Sequence, residues 1–268
     1  MRVWDPEAWT LVNTVEDAHG NRSNYRRFHT MTTWQGMLVT GGADCKVKVW
    51  EAGTWTCRHV LEGHTESVYD VEVLDESTLL SCSEDKTIRV WDTATWTCRR
   101  VVDSGHTSYA YCLSAHAGMV YCGGEDTDYS VTVRVFDPST WECVDVLRGH
   151  TDGVWGLLVR QDKLITASED NTIKVWSTGA TPRQCEHTLQ GHTDCVVSLA
   201  VCGDKLVSGS SDKTVRVWGM DQGTGRWQCE RVLEDHSDGV NSVMCTRDGR
   251  RLLTVGHESK IRVWGQAT

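Results

Sequence analysis

The chain has 268 residues, with thirteen Trp against two Phe, three Pro, twelve Cys and a formal net charge of −10. The acidic balance argues against a dedicated nucleic-acid binder, because phosphate binding needs clustered Lys and Arg, and it mildly favours basic partners. No apolar run approaches membrane-spanning length, and the start, MRVWDPEAWT, carries no signal-peptide apolar core; no membrane association and a cytoplasmic or nuclear protein are expected.

In chain order, residues 1–18 form a partial repeat: MRVWD ends one strand and TLVNTVE reads as the next. Residues 19–62 open on His19-Gly20 and the basic NRSNYRR, then run LVTGGADCKVKVWE from Leu38 to Glu51. Residues 63–104 open on Gly63-His64 and contain LLSCSEDKTIRVWD, Leu79 to Asp92: an apolar strand, a tight polar turn and a strand ending in Trp-Asp. Residues 105–148 carry a small insertion at Asp126 to Ser130 and end their third strand in VRVFD. Residues 149–190, 191–234 and 235–268 repeat the sentence as LITASEDNTIKVWS, LVSGSSDKTVRVWG and a looser copy ending IRVWG. Between them lie outer strands of one design, such as TWTCRHVLE and TWTCRRVVD, whose polar–apolar alternation suits a strand with one solvent face.

The strand-ending aromatics Trp4, Trp50, Trp91, Phe136, Trp176, Trp218 and Trp264 recur every 40–46 residues. Self-similarity at a period of ~40–45 residues with Gly-His and Trp-Asp marks resembles the WD-repeat family over nearly the whole chain. The resemblance implies an all-β WD-repeat β-propeller, built as one domain of four-stranded antiparallel blades. The strand pattern assigns two strands to the opening piece, four to each of five units and three to the last. Two closures fit: six blades closed by the N-terminal strand TLVNTVE beside KIRVW, or a truncated or open seven-bladed propeller. An open ring would expose strand edges, which favours closure.

Five cysteines, Cys57, Cys98, Cys143, Cys185 and Cys229, recur at one place in successive units. They are expected to be reduced, buried small hydrophobes of an intracellular protein. No C-x-x-C, H-E-x-x-H or phosphate-loop spacing occurs, so neither metal nor cofactor is expected.

Three units each offer a His after Gly, a hydroxyl ending the second strand, a turn Asp and a terminal Trp. The sets are His64, Ser81, Asp85, Trp91; His150, Thr166, Asp170, Trp176; and His192, Ser208, Asp212, Trp218. A Ser-His-Asp trio invites a hydrolase reading, but the set repeats and lacks a nucleophile elbow, so no enzyme is expected. The family resemblance implies a structural relay, in which Trp donates to the hydroxyl, the hydroxyl meets His and His meets Asp. The unit ending at Phe136 has Cys122 in the hydroxyl place, the last has Glu258 for Asp, and His19 is a poor match; looser blades are expected there.

The resemblance points to a non-catalytic interaction scaffold or adaptor, monomeric or part of a larger complex. A substrate-recognition subunit of a ubiquitin ligase is the alternative, although no Arg follows Trp91-Asp92 or Phe136-Asp137 by two residues, as one receptor subclass requires. A G-protein β-like subunit would need an amino-terminal coiled coil, which the sequence does not show. Side chains at the start of each first strand should line the channel mouth, among them Arg27 and His29, Tyr69, Tyr109 and Tyr111, and Trp155. The residue before the turn Asp should share that face: Glu84, Glu125 and Glu169. Aromatics beside carboxylates suit a Lys or Arg, so a short basic segment of a protein partner is the expected ligand. The competing possibility is that these aromatics only plug the channel.

Overall fold

The computed structural model describes residues 1–4, 11–15, 18–19, 28–127, 132–179, 182–221, 223–246, 248–258 and 260–265. Every regular element among them is a strand. The chain divides into two compact units, residues 1–115 and 116–268.

The first unit opens with β1 (Arg2–Trp4) and β2 (Leu11–Thr14), an antiparallel pair. Next comes the sheet of β3 (Phe28–Trp34), β4 (Met37–Gly42), β5 (Val47–Glu51) and β6 (Cys57–Leu61). A second sheet holds β7 (Val68–Asp75), β8 (Thr78–Ser83), β9 (Thr87–Asp92) and β10 (Thr97–Asp103). The unit ends within β11 (Tyr109–His116), the first strand of a sheet whose other members are β12 (Met119–Glu125), β13 (Thr132–Phe136) and β14 (Cys143–Arg148).

In the second unit follow β15 (Val154–Arg160), β16 (Lys163–Ser168), β17 (Ile173–Ser177) and β18 (Cys185–Leu189). After them come β19 (Val196–Cys202), β20 (Lys205–Ser210), β21 (Val215–Met220) and β22 (Trp227–Leu233). The last sheet is β23 (Val240–Cys245), β24 (Arg251–Gly256) and β25 (Ile261–Gly265). The protein is all-β, and its six repeat sheets are the blades of a β-propeller. The strand TLVNTVE, expected beside KIRVW, contributes β2, which pairs with β1 and is tied at its end by Val15 N–H to Met1 O at 2.8 Å. Among the described residues the last sheet ends at β25.

Each blade is antiparallel in chain order, and its second strand is its core: all of β8 is buried, as are five of the six residues in β16 and β20. The apolar residues of the third strand alternate inward, with Val47 and Val49 or Ile173 and Val175 buried and the cationic stems between them half-buried. Every outer strand in a four-stranded blade slips by one residue opposite the terminal aromatic, at Trp50/Cys57, Trp91/Cys98, Phe136/Cys143, Trp176/Cys185 and Trp218/Cys229. That bulge turns the recurrent cysteines outward. Cys57, Cys143 and Cys185 are exposed and Cys98 and Cys229 half-buried, which corrects the expectation that all five are buried.

The turn after each relay Asp uses a left-handed residue: Lys86 at φ 68°, Asn171 at 67° and Lys213 at 72°. The Asp makes this conformation tolerable by accepting from the backbone two residues on, as Thr87 N–H to Asp85 Oδ1 at 3.0 Å. The next hairpin turn also needs a left-handed residue, and three blades place a Trp there, Trp55, Trp96 and Trp141. The β21–β22 turn uses Gly225 instead, and Trp227 moves into the strand.

Candidate protein-binding site

One backbone contact recurs at the start of the blades. In four blades the residue before the turn acid donates its N–H to the carbonyl at the start of the first strand. These are Glu84 to Ser67 O, Glu169 to Gly153 O, Ser211 to Cys195 O and His257 to Gly239 O, at 2.8–3.0 Å. The pairing of sequence positions therefore has a mechanical origin, because the tight turn is tied to the start of its own blade.

In the second unit this tie brings Trp155 and Glu169 together. Trp155 is half-buried and Glu169 exposed, and the indole N–H donates to Glu169 Oε2 at 3.1 Å. Gly153 on one side and Val154 below it are buried, so the ring stands on a rigid base. Glu125, at the end of β12, is half-buried. In the first unit Tyr69 meets Tyr111 edge-on at 5.2 Å between ring centroids, and Tyr109 lies tilted on Tyr111 at 5.8 Å. Tyr111 is only 8% exposed, which makes it packing beneath the other two rings. Glu84 is half-buried in the same unit. Arg27 lies outside the described residues, and His29 is described by its backbone alone.

The relay residues form hydrogen-bonded chains within single blades. In one, Trp91 Nε1 donates to Ser81 Oγ at 2.8 Å, while His64 Nε2 lies 2.7 Å from Ser81 Oγ and its Nδ1 2.7 Å from Asp85 Oδ2. The chain through Trp176, Thr166, His150 and Asp170 has distances of 3.0, 2.6 and 2.7 Å. The chain through Trp218, Ser208, His192 and Asp212 has 2.9, 2.7 and 2.7 Å. The arrangement is consistent with a neutral imidazole whose Nδ1–H donates to the carboxylate and whose Nε2 accepts from the hydroxyl. Burial pushes His150 below its ordinary range, against the opposing pull of Asp170. Burial pushes Asp85 up, but hydrogen bonds from His64, Thr87 and Thr65 outweigh it and hold the carboxyl well below the usual range; Asp170 and Asp212 behave alike. Every donor and acceptor in a chain is used internally, so it stiffens the blade.

Two blades expected to be looser contain complete chains. His19, a poor match because its Gly follows rather than precedes it, lies 2.7 Å from both Thr40 Oγ1 and Asp44 Oδ1, and Trp50 donates to Thr40 at 2.8 Å. Glu258 meets His236 at 2.7 Å in the last blade, where Arg262 adds a second charge at 2.6 Å. The longer Glu side chain spans the gap that Asp spans elsewhere. The blade ending at Phe136 differs in kind: Cys122 and Phe136 are both buried, and the Phe136 side chain has no N–H to donate.

Three features escaped the sequence reading. Asp70 and Glu72 sit two apart on β7. Asp70 accepts from Thr30 Oγ1 at 2.7 Å and Leu113 N–H at 2.9 Å, joining β3, β7 and β11, and Glu72 accepts from Ala115 N–H at 3.3 Å. Burial lifts Asp70 to about 6 despite these bonds, and burial plus the Asp70 charge lift Glu72 to about 7. Arg183 pairs with Asp145 at 3.0 Å and lies over the buried Tyr121 ring at 5.7 Å. Cys202 and Cys245 form a disulfide. Polar residues inside VYDVEVLD were the one visible signal for the first. Among the described residues no group of His, Cys, Asp and Glu could hold a metal ion, and no helix is long and apolar enough to cross a membrane.

Comparison with known proteins adds a family match and several relatives. The family model described as "WD domain, G-beta repeat" matches residues 13–51, 55–92, 141–177, 183–219 and 227–265, more than half of the chain. Similar proteins include Cell division control protein 4 of Saccharomyces cerevisiae, 29% identical over 53% of this chain and 21% of its own length. WD repeat-containing protein pop1 of Schizosaccharomyces pombe is 28% identical over 67% of this chain and 23% of its own length. Protein transport protein SEC13 of Phaeosphaeria nodorum is 39% identical over 27% of this chain and 24% of its own length. The aligned parts thus span between a fifth and a quarter of these relatives.

Proposed function

The chain belongs to the WD-repeat family, and we propose that it is a non-catalytic scaffold or adaptor that binds a short basic segment of a partner protein at its blade rims. The relatives are named for cell division control and protein transport, and that variety suits a fold used as a binding platform rather than one chemistry. The observation that carries the basic preference is Trp155 with Glu169. A half-buried indole held by an exposed carboxylate offers a ring face and a negative charge to one incoming Lys or Arg. A fixed aromatic on a buried base also loses little side-chain entropy on binding. The proposed setting is the cytoplasm or nucleus, as a monomer or within a larger complex, and the exposed, unbridged Cys57, Cys143 and Cys185 fit a reducing compartment.

The test is fluorescence anisotropy with labelled decapeptides of matched hydropathy, one Lys/Arg-rich and one Asp/Glu-rich. The basic peptide should bind, and Trp155→Ala or Glu169→Lys should weaken it by about tenfold or more, a loss of roughly 1.4 kcal/mol, with the melting temperature nearly unchanged. Equal binding of both peptides, or variants that bind like the parent, would place the interaction surface elsewhere.

A further inference from the structure

The last residues of the innermost strands tie consecutive blades together. Trp34, ending β3, donates its indole N–H to Glu76 O in the following blade's first turn, at 3.2 Å. In the second unit Arg160, ending β15, donates to Asp204 O in the next blade's first turn, at 2.8 Å. Cys202, ending β19, occupies the same place one blade later, and there the tie is covalent: its partner Cys245 ends β23, with Cα atoms 5.3 Å apart. Both residues are half-buried, within reach of a small thiol.

Among the described residues, the blade held by this bond is less buried than the two blades before it. Its third strand exposes Ile261 at 49% and Val263 at 45%, while Ile173 and Val175 in the matching places of β17 are buried. Apolar burial therefore does less to hold β23–β25 than to hold its neighbours, and the cross-link carries a larger share. Cys202 Sγ also lies 3.7 Å from Gly249 O.

We propose that Cys202 and Cys245 form a reversible thiol–disulfide switch that locks the blade β23–β25 to the blade β19–β22 when oxidised and loosens it when reduced. The exchange partner is a glutathione-class disulfide. One protein thiolate attacks it, forming a mixed disulfide and releasing one glutathione thiolate. The second protein thiolate attacks the protein sulfur of that mixed disulfide, closing the Cys202–Cys245 bond and expelling the second glutathione thiolate. Two protein thiols are oxidised, one glutathione disulfide is reduced, and the two protons end on the released thiols. The bond closes a loop across 43 residues, so local opening of the terminal blade loses conformational freedom when it is present.

The experiment is hydrogen exchange on the full chain, incubated with oxidised or reduced glutathione, with the disulfide state read by mass spectrometry of unreduced peptides. On reduction, amides in 240–265 should exchange about tenfold or more faster, while those in 163–189 stay unchanged. Cys245→Ser should behave as the reduced protein in both buffers, and Cys57→Ser should still switch. Identical exchange in verified oxidised and reduced protein, or failure of the pair to bridge in oxidised glutathione, overturns the proposal.

Discussion

Trp176 donates its buried indole N–H to Thr166 Oγ1 at 3.0 Å, and this one bond joins the third strand of its blade to the second. Thr166 is wholly buried and serves His150 with the same oxygen at 2.6 Å. Removing a member therefore strands its neighbours away from water, and Asp170→Ala should destabilise by about 1–3 kcal/mol. Trp176→Ala leaves a large cavity and should cost roughly 3–5 kcal/mol. Cys122→Ala, in the blade without an indole donor, should cost less than Thr166→Ala. Urea melts that reverse this last order would show that the hydroxyl position is packing alone.

Stability should fall as pH rises from 5 to 8, the carboxylate loss being partly offset by His150, whose depressed folded pKa adds stability as pH climbs through the ordinary histidine range. Glu72 and Asp70, lifted to about 7 and about 6 chiefly by burial, bind protons more tightly folded than unfolded. Their contribution is full below the ordinary carboxylate range and is lost as pH climbs through those values. Glu72→Gln should flatten the slope. Asp85, Asp170 and Asp212 have the opposite sign: held low in the folded state, they contribute stability above the ordinary range and lose it as pH falls. A stability maximum near pH 5, followed in thermal melts at steps of pH, is the expected shape; a flat line from 5 to 8 would contradict it.

Gly209→Ala should destabilise by about 1–3 kcal/mol through overpacking. A Cβ on Gly209 would sit 2.8 Å from Val240 Cγ1 in the next blade, and Val240 is fully buried. The same Cβ would meet Val243 Cγ1 at 2.9 Å, so Val240→Ala relieves only part of the crowding, and the double variant should lose less than the sum of the two single losses. Simple additivity in a double-mutant cycle would show that the blades do not meet there as closely as the geometry requires.

Asp145→Ala should destabilise by roughly 3–5 kcal/mol, because it leaves the Arg183 guanidinium, 7% exposed, without its charge partner. Replacing both by apolar residues, Asp145→Leu with Arg183→Met, should cost less than the single change. Chemical denaturation of the two proteins separates the outcomes, and a double variant worse than Asp145→Ala would mean that the stacking on Tyr121 dominates.

The amino-acid sequence by itself determined the six repeat units, their strand order, and the residue types that end each strand. It could do so because these signals are local: apolar residues alternate with period two, the turn Asp is followed by a left-handed residue, and the aromatic returns at a near-constant spacing. It also placed Glu169 beside Trp155, since a tight turn tied to its own blade obeys the same local rules. Only the tertiary structure decided which residues meet from one blade to the next. Asp70 with Thr30 and Leu113, and Cys202 with Cys245, are each separated by about one repeat, and Gly209 meets Val240 of the following blade; no periodicity within a repeat encodes these encounters. Their contact depends on the twist and offset with which neighbouring sheets pack, and a shift of one residue would turn each of these side chains to the other face. The recurrent cysteines show the converse: their spacing was legible, but beside the bulge opposite the terminal aromatic three of them are exposed and Cys98 and Cys229 half-buried.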